Sequence, residues 1–385
     1  MFLDDNQWND QQELYDFPTI IVHNNKINKQ KLLLALRTNN WRMKIAIHHR
    51  KNSFSEHWIN YCKKHNIPYK IVDAYSNNII EQVADCDIFM WHHHQSIHED
   101  SLFANQLLYS LQIMGKYVYP DFNTTWHFDD KIGQRYLFEA LNIPFIPTYI
   151  FYDIKNALKW IKATTFPKVF KLRNGASSNN VMLVKSYSQA KRLIKKAFKT
   201  GISTFRYKEQ IKDRYRKYKL GLVSFRNLLG LIKMCLLHRY PNKYYRLHNK
   251  ETGYVYFQDY LPNNKFDIRV FVVGDKAIVK KRINKDNDFR ASGSEKQVFD
   301  KDEIDIKCVK LAFDTNQKLK MQSVAFDFLY DTNGNPIITE VSYCRGKREK
   351  EYTGYYSSNL QWHDCRDINT SDWIIESIIA KFNEQ

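Results

Sequence analysis

Residues 322–342, QSVAFDFLYDTNGNPIITEVS, constrain the fold more tightly than any other stretch of the chain. Two apolar runs, VAFDFLY and PIITEVS, flank Asp331-Thr-Asn-Gly-Asn, and the Asn-Gly pair tolerates positive φ. The sequence therefore predicts an antiparallel hairpin with a tight connection. Each run carries one carboxylate among apolar neighbours, Asp327 and Glu340. Burying a lone charge is costly. Two carboxylates on paired strands ask for a cation between them, most simply Mg²⁺ with a phosphate on its far side. A half-exposed hairpin with both acids in solvent is the alternative that this stretch leaves open.

The 385 residues are enough for two or three domains, and a hydrophobic content of 43% argues against disorder. The sequence has no run of apolar residues long enough to cross a bilayer, and it opens on the acidic, polar MFLDDNQWND. Both features are expected of a cytoplasmic chain. Six cysteines at 62, 86, 235, 308, 344 and 365 show neither CxxC nor regular spacing, which points to reduced thiols. The net charge of +18 implies an anionic partner. Residues 199–251 hold fourteen Lys or Arg against Glu209, Asp213 and Glu251. The partner of that segment need not be the partner of the hairpin.

After an N-terminal extension over 1–42, strand and helix patterns alternate from Met43: MKIAIHH, SFSEHWINYCKKHN, PYKIV, a helix near 77–84, DIFMW, and a helix over 101–114. Such alternation predicts a parallel α/β domain over 43–126 with ligand sites at the carboxyl ends of its strands. Those ends are His48-His49-Arg50 and His92-His93-His94-Gln95. In extended chain His92 and His94 share a face and His93 takes the other, so these groups suit contacts to a polar or anionic molecule, or a structural loop. Lys131 opens a helix, where a cation is unfavourable unless something anionic is near. Lys171 ends the strand PKVFK, and Gly175-Ala-Ser177-Ser178-Asn-Asn joins it to VMLVK. A small-residue loop of this kind can cover phosphates, although an ordinary hairpin also fits, and it is no Walker A motif. Three cations, Arg269, Lys280 and Arg282, then sit inside apolar strands, opposite in sign to Asp327 and Glu340. The basic segment 199–252 contains two helical patterns, the second with Phe225, Leu228, Leu229, Ile232 and Leu236 at helical spacing. It reads as a helical insertion docked on its own domain or as a helix that seeks an anionic membrane surface.

In order, Asp130-Lys131, Pro167-x-Val-x-Lys171 with the GASSNN loop, Gln258-Asp259-Tyr260-Leu261, Asp267-Ile-Arg269, Asp288-Phe-Arg290, and Asp327 with Glu340-Val-Ser342 resemble the ATP-grasp superfamily and its RimK-type ligases. The chain is also similar to ATP-grasp proteins of capsule and surface-polysaccharide gene clusters, which share FxxxWIxYC, DFNTTWHFDDK, FRASGS and NLQWH. The resemblance implies an α/β (α+β) ATP-grasp fold. In it, a parallel α/β domain precedes two α+β subdomains over 127–342 that clasp ATP, with the basic insertion at 199–252 and a loop and helix over 343–385 closing on the site. It implies that Lys131 and Lys171 bind ATP phosphates under the loop of Gly175, Ser177 and Ser178, and that Gln258, Asp259, Tyr260 and Leu261 meet adenine through backbone groups. By the same resemblance Asp327, Glu340 and Ser342 ligate Mg²⁺, while Arg269, Lys280, Arg282 and Arg290 serve the acyl-phosphate chemistry. Ser342 stands where many members carry Asn. The implied partners are ATP, a carboxylate on a small molecule or glycan precursor, and an amine, with no nucleic acid. Peripheral contact with an anionic membrane through 199–252 is a further expectation. The competing expectations are a kinase on this fold and a non-catalytic nucleotide-binding module.

Overall fold

The computed structural model of the chain describes residues 43–175, 180–284, 289–290, 296–345 and 351–384. Its first unit alternates strictly through β1 (Ile45–His48), α1 (Phe54–Lys64), β2 (Tyr69–Val72), α2 (Ile79–Gln82), β3 (Ile88–Trp91), α3 (His98–Ile113) and β4 (Tyr117–Tyr119). The four strands pair in parallel in the order β2-β1-β3-β4, as the alternating pattern predicts. Every residue of β1 and β3 is buried, which a parallel sheet covered on both faces requires. Ser53 caps α1 by accepting from the Ser55 N–H, and Lys63 and Lys64 complement its carboxyl end. β2 and β3 flank β1 on opposite sides. The carboxyl ends of β1 and β3 therefore border a crevice, the usual place for a ligand in such a sheet.

The second unit contains α4 (Phe122–Thr125), α5 (Lys131–Ala140), β5 (Thr148–Phe151), α6 (Ile154–Ala163), β6 (Lys168–Lys171), β7 (Val181–Val184), α7 (Tyr187–Lys199) and β8 (Ile202–Ser203). The chain then leaves the unit through α8 (Tyr207–Lys219), α9 (Phe225–Leu236) and α10 (Lys243–Leu247). It returns by β9 (Lys250–Glu251), antiparallel to β8, into β10 (Val255–Asp259). β5, β10, β6 and β7 form an antiparallel sheet in that order. Helices α6 and α7 cover it around Ala157, Ile161, Phe170, Ile194 and Phe257.

The largest sheet uses β11 (Phe266–Val273), β12 (Lys276–Ile283), β13 (Gln297–Val298), β14 (Ser323–Tyr330), β15 (Pro336–Ser342), β16 (Gly354–Ser357) and β17 (Trp362–Asp364), in the order β15-β14-β11-β12-β16-β17 with β13 also on β12. β14 and β15 are the hairpin anticipated from the sequence. Gly334 takes φ +78°, and the Asp331 carboxylate accepts from the N–H groups of Asn333 and Asn335. α11 (Ile306–Leu319) packs on this sheet, and α12 (Thr370–Phe382) packs on both β11 and α1.

One expectation changes. The segment after Ser342 is not a bare loop before its helix, because β16 and β17 extend the large sheet beyond β12. Tyr355, Tyr356 and Trp362 are strand residues there, with Tyr356 buried. The FxxxWIxYC phrase is structural: Phe54, Trp58, Tyr61 and Cys62 are buried, and the Trp58 indole donates to the Ser371 carbonyl at 3.1 Å.

Candidate functional site

Antiparallel pairing across four strands sets the site. Lys280 on β12 lies opposite Arg269 on β11, Arg269 opposite Asp327 on β14, and Asp327 opposite Glu340 on β15. Directly opposed residues share a face, so two cations and two carboxylates form one row across the sheet. One step along the same face, Arg282 lies opposite Asp267. A bulge between Asp327 and Phe328 leaves Thr339 unpaired on β15. Strict alternation would put Ile338 and Glu340 on one face. The bulge breaks that parity, so Ile338 enters the core, opposite Phe328, while Glu340 stays in the row.

These groups hold one another closely. Arg269 donates to both oxygens of Asp327, through Nε at 2.6 Å and Nη2 at 2.8 Å. Arg282 forks onto Asp267 at 2.6 Å and reaches Asp327 at 2.9 Å. Burial opposes ionisation of Asp327, but the two guanidiniums outweigh it and hold the carboxyl below its ordinary range. Lys280 has no carboxylate or hydrogen-bond partner among the described residues and sits 5.9 Å from the centre of the Phe299 ring. Its burial, with repulsion from Arg269 and Arg282, pushes it down to about 8.

Two lysines of the second unit act on Glu340, one by direct contact and one through its charge alone. Lys131, the first residue of α5, lies 3.1 Å from the Glu340 carboxylate and donates to the Gly175 carbonyl at 2.9 Å. The cation at a helix start is thus explained: Asp130 caps the helix by accepting from the N–H groups of Ile132 and Gly133. Asp129 and Glu340 supply the negative charge. Burial alone would lower the Lys131 pKa, yet Glu340 and Asp129 outweigh it and hold it above its ordinary value. Asp129, at φ +53°, accepts from the Gly175 N–H at 2.9 Å, and burial pushes its carboxyl up to about 6. Lys171 closes β6 and is buried with no hydrogen-bond or ion-pair partner among the described residues. Burial, only partly offset by Glu340 and reinforced by Lys131, pushes it down to about 8.

Two cavities meet at this row and share Asp327 and Glu340 as a common wall. The smaller, ≈ 110 Å³, is a slot between the two antiparallel sheets. Ile146, Val169, Val181 and Leu329 give it apolar walls, and Lys131, Lys171, Gly175 and Gln258 to Leu261 also line it. Arg290 also borders it. The Gln258 amide donates to the Thr148 hydroxyl at 3.1 Å, and Lys168 pairs with Asp259 at 2.5 Å. The larger cavity, ≈ 580 Å³, lies in the crevice at the ends of β1 and β3, and its walls include Arg50, Ser53, His92, His94, Arg269, Ser342 and Arg345. His92 and His94 face it, whereas His93 turns away to bond Thr125 and stack on Tyr343, the alternation expected of extended chain. All three imidazoles are pushed down by burial, so they are neutral hydrogen-bonding groups at pH 7.

Of the residues anticipated from the sequence, Lys131, Lys171, Gly175, Gln258, Asp259, Tyr260, Leu261, Arg290, Asp327 and Glu340 line the slot. Arg269 and Ser342 line the larger cavity beside the same two acids. Lys280 and Arg282 belong to the charged rows behind them. Ser177 and Ser178 lie outside the described residues. Sequence reasoning missed Asp129 and the apolar walls of the slot. Only the Asp-Asp-Lys run hinted at Asp129, and the valines carry no local signal.

This arrangement, two antiparallel sheets closing on a slot and a parallel unit facing a second cavity across shared carboxylates, is the ATP-grasp fold. Residues 233–355 match the RimK-like ATP-grasp domain. D-cycloserine synthetase is similar at a TM-score of 0.52 and 11% identity, covering 89% of this chain and 99% of its own. N5-carboxyaminoimidazole synthetase from Staphylococcus aureus has a TM-score of 0.52 at 12% identity, with 88% of this chain and 78% of its own covered. D-alanine–D-alanine ligase from Bacillus anthracis, solved with ATP, has a TM-score of 0.50 at 12% identity over 89% and 98%. At such identities the likeness speaks for the fold. No curated protein matches the sequence.

Proposed function

We propose that this chain is an ATP-dependent carboxylate–amine ligase. The observation that carries the reading is the shared wall: Asp327 and Glu340 border both a slot with two buried lysines and a larger cavity with three arginines. A nucleotide in the first and an acid in the second would bring γ-phosphate and carboxylate together over the same two side chains.

The slot's apolar walls suit a base, and Lys131 and Lys171 suit the phosphates. The side chains of Gln258 and Asp259 are already engaged, so contacts from that stretch to adenine fall to backbone groups. The donor set fits Mg²⁺. Among the described residues no group of three or more His, Cys, Asp or Glu could hold a metal alone, but Mg²⁺ takes one or two carboxylates and completes its shell with substrate phosphates and water. Asp327 and Glu340 would hold it, with the Ser342 hydroxyl two residues on, and when bound it would neutralise polyphosphate charge.

A carboxylate oxygen of the acid attacks the γ-phosphorus, the bond to the β-phosphate oxygen breaks, and ADP leaves. The amine nitrogen then attacks the acyl carbon, phosphate departs with the former carboxylate oxygen, and the amine loses a proton to solvent or phosphate. Both steps need alignment and charge neutralisation rather than a protein nucleophile. Arg269 faces the acid cavity and would steady the anionic carboxylate and acyl-phosphate. Lys280, Arg282 and Arg290 would keep the surrounding potential positive. The acid is read as a surface-polysaccharide precursor or related small molecule, from the phrases shared with proteins of such gene clusters. ADP release should depend on both an acid and an amine across a panel of sugar acids, amino acids and amines. Release with a phosphorylated hydroxyl and no need for an amine would instead identify a kinase.

A further inference from the structure

We propose that the helical insertion docks the protein on an anionic membrane surface through one face of α9, independently of the chemistry at the cleft. The insertion is held to its own protein on one side. Leu228 and Leu231 of α9 are buried, α10 contacts α3 through the Lys243–Glu99 pair, and His98 and His248 share a 3.0 Å contact. The other side of α9 is bare. Phe225, Leu229 and Leu236 recur at i, i+4 and i+11, one continuous stripe, and are 53%, 48% and 74% exposed. Leu220 and Leu222, in the connection before α9, are also more than half exposed.

Beside this stripe stand the cations. Arg226 and Lys233 lie seven residues apart on the exposed side of α9, and Lys212 and Lys219 are exposed on α8. None of the four has a carboxylate partner among the described residues. Asp213, by contrast, pairs with Arg216 and Lys217, and Glu209 with Arg206, so both acids of α8 already have cations of their own. Bare leucine and phenylalanine flanked by unpaired bases is the pattern of a helix lying in the plane of a bilayer, bases at the headgroups and apolar side chains at the acyl boundary. No described helix is long and apolar enough to cross a membrane. The charge argues against the other occupants. A second copy would set an excess of eleven positive charges against itself, and a nucleic acid would leave the apolar stripe in water.

Co-sedimentation of the full chain with vesicles tests this. Vesicles of mixed phosphatidylcholine and phosphatidylglycerol should bind it, phosphatidylcholine alone should not, and raising salt from about 0.1 M to about 0.5 M should weaken binding. Phe225→Asp with Leu236→Asp, and separately Arg226→Glu with Lys233→Glu, should each cost at least about tenfold in partitioning while leaving ATP binding unchanged. The proposal is overturned if phosphatidylglycerol vesicles do not bind the chain, or if binding survives both double variants. A concentration-dependent dimer that the Phe225→Asp/Leu236→Asp variant abolishes would also overturn it, by showing a second copy on this face.

Discussion

Lys131 and Lys171 enter the same slot with opposite surroundings. Lys131 has Glu340 and Asp129 beside it, whereas Lys171 has no partner among the described residues and is pushed down to about 8. A lysine whose folded pKa falls below its unfolded 10.5 costs stability while it is charged. The cost is fully present below about pH 8 and disappears as pH rises towards 10.5; at neutral pH it is roughly 3 kcal/mol. Lys171→Met should therefore raise the melting temperature at pH 7 by several degrees, while weakening ATP binding by at least about tenfold, since a phosphate contact is lost. A merely structural lysine would not give gains and losses of that kind together. The pH dependence follows from the same shift. Phosphate raises the Lys171 pKa on binding, so ATP affinity should be constant below about pH 8 and fall above it, with proton uptake visible by calorimetry in buffers of different ionisation enthalpy.

The hairpin formed by β14 and β15 is the element around which the units join. Its turn was legible because Asn-Gly chemistry is local, and its two carboxylates stood out because a charge in an apolar run is conspicuous. The bulge at Thr339 was not legible. It depends on pairing between β14 and β15, and PIITEVS reads as regular alternation that would send Ile338 and Glu340 the same way. Strands β16 and β17 were missed for the same reason, since their pairing is set by the edge of β12 and not by their own pattern. Beyond Ser342, the Tyr343 hydroxyl donates to the His93 carbonyl at 2.5 Å and fixes the hairpin to the end of β3. Tyr343→Phe leaves that buried carbonyl unpaired and should cost about 1 to 3 kcal/mol in chemical denaturation, because the desolvation penalty is no longer offset. A change within a few tenths of a kcal/mol would mean that the carbonyl has found another donor.

At the scale of the molecule, the alternating strands and helices of the first unit predicted a parallel sheet, and a cavity lined by Arg50, His92 and His94 lies at the ends of its β1 and β3. The insertion's exposed stripe was harder to read, because a helical pattern does not say which part of an apolar face its own protein covers. Three units converge on Asp327 and Glu340, and the account stands or falls on an acyl-phosphate forming above them. Hydroxylamine tests this without the natural amine, since it intercepts activated acids as hydroxamates. With ATP, Mg²⁺ and a panel of sugar acids, amino acids and dicarboxylates, hydroxamate should form with an ATP requirement and an acid requirement, and Glu340→Gln should abolish it. ATP consumption that yields a stable phosphorylated product and no hydroxamate with any acid would contradict it.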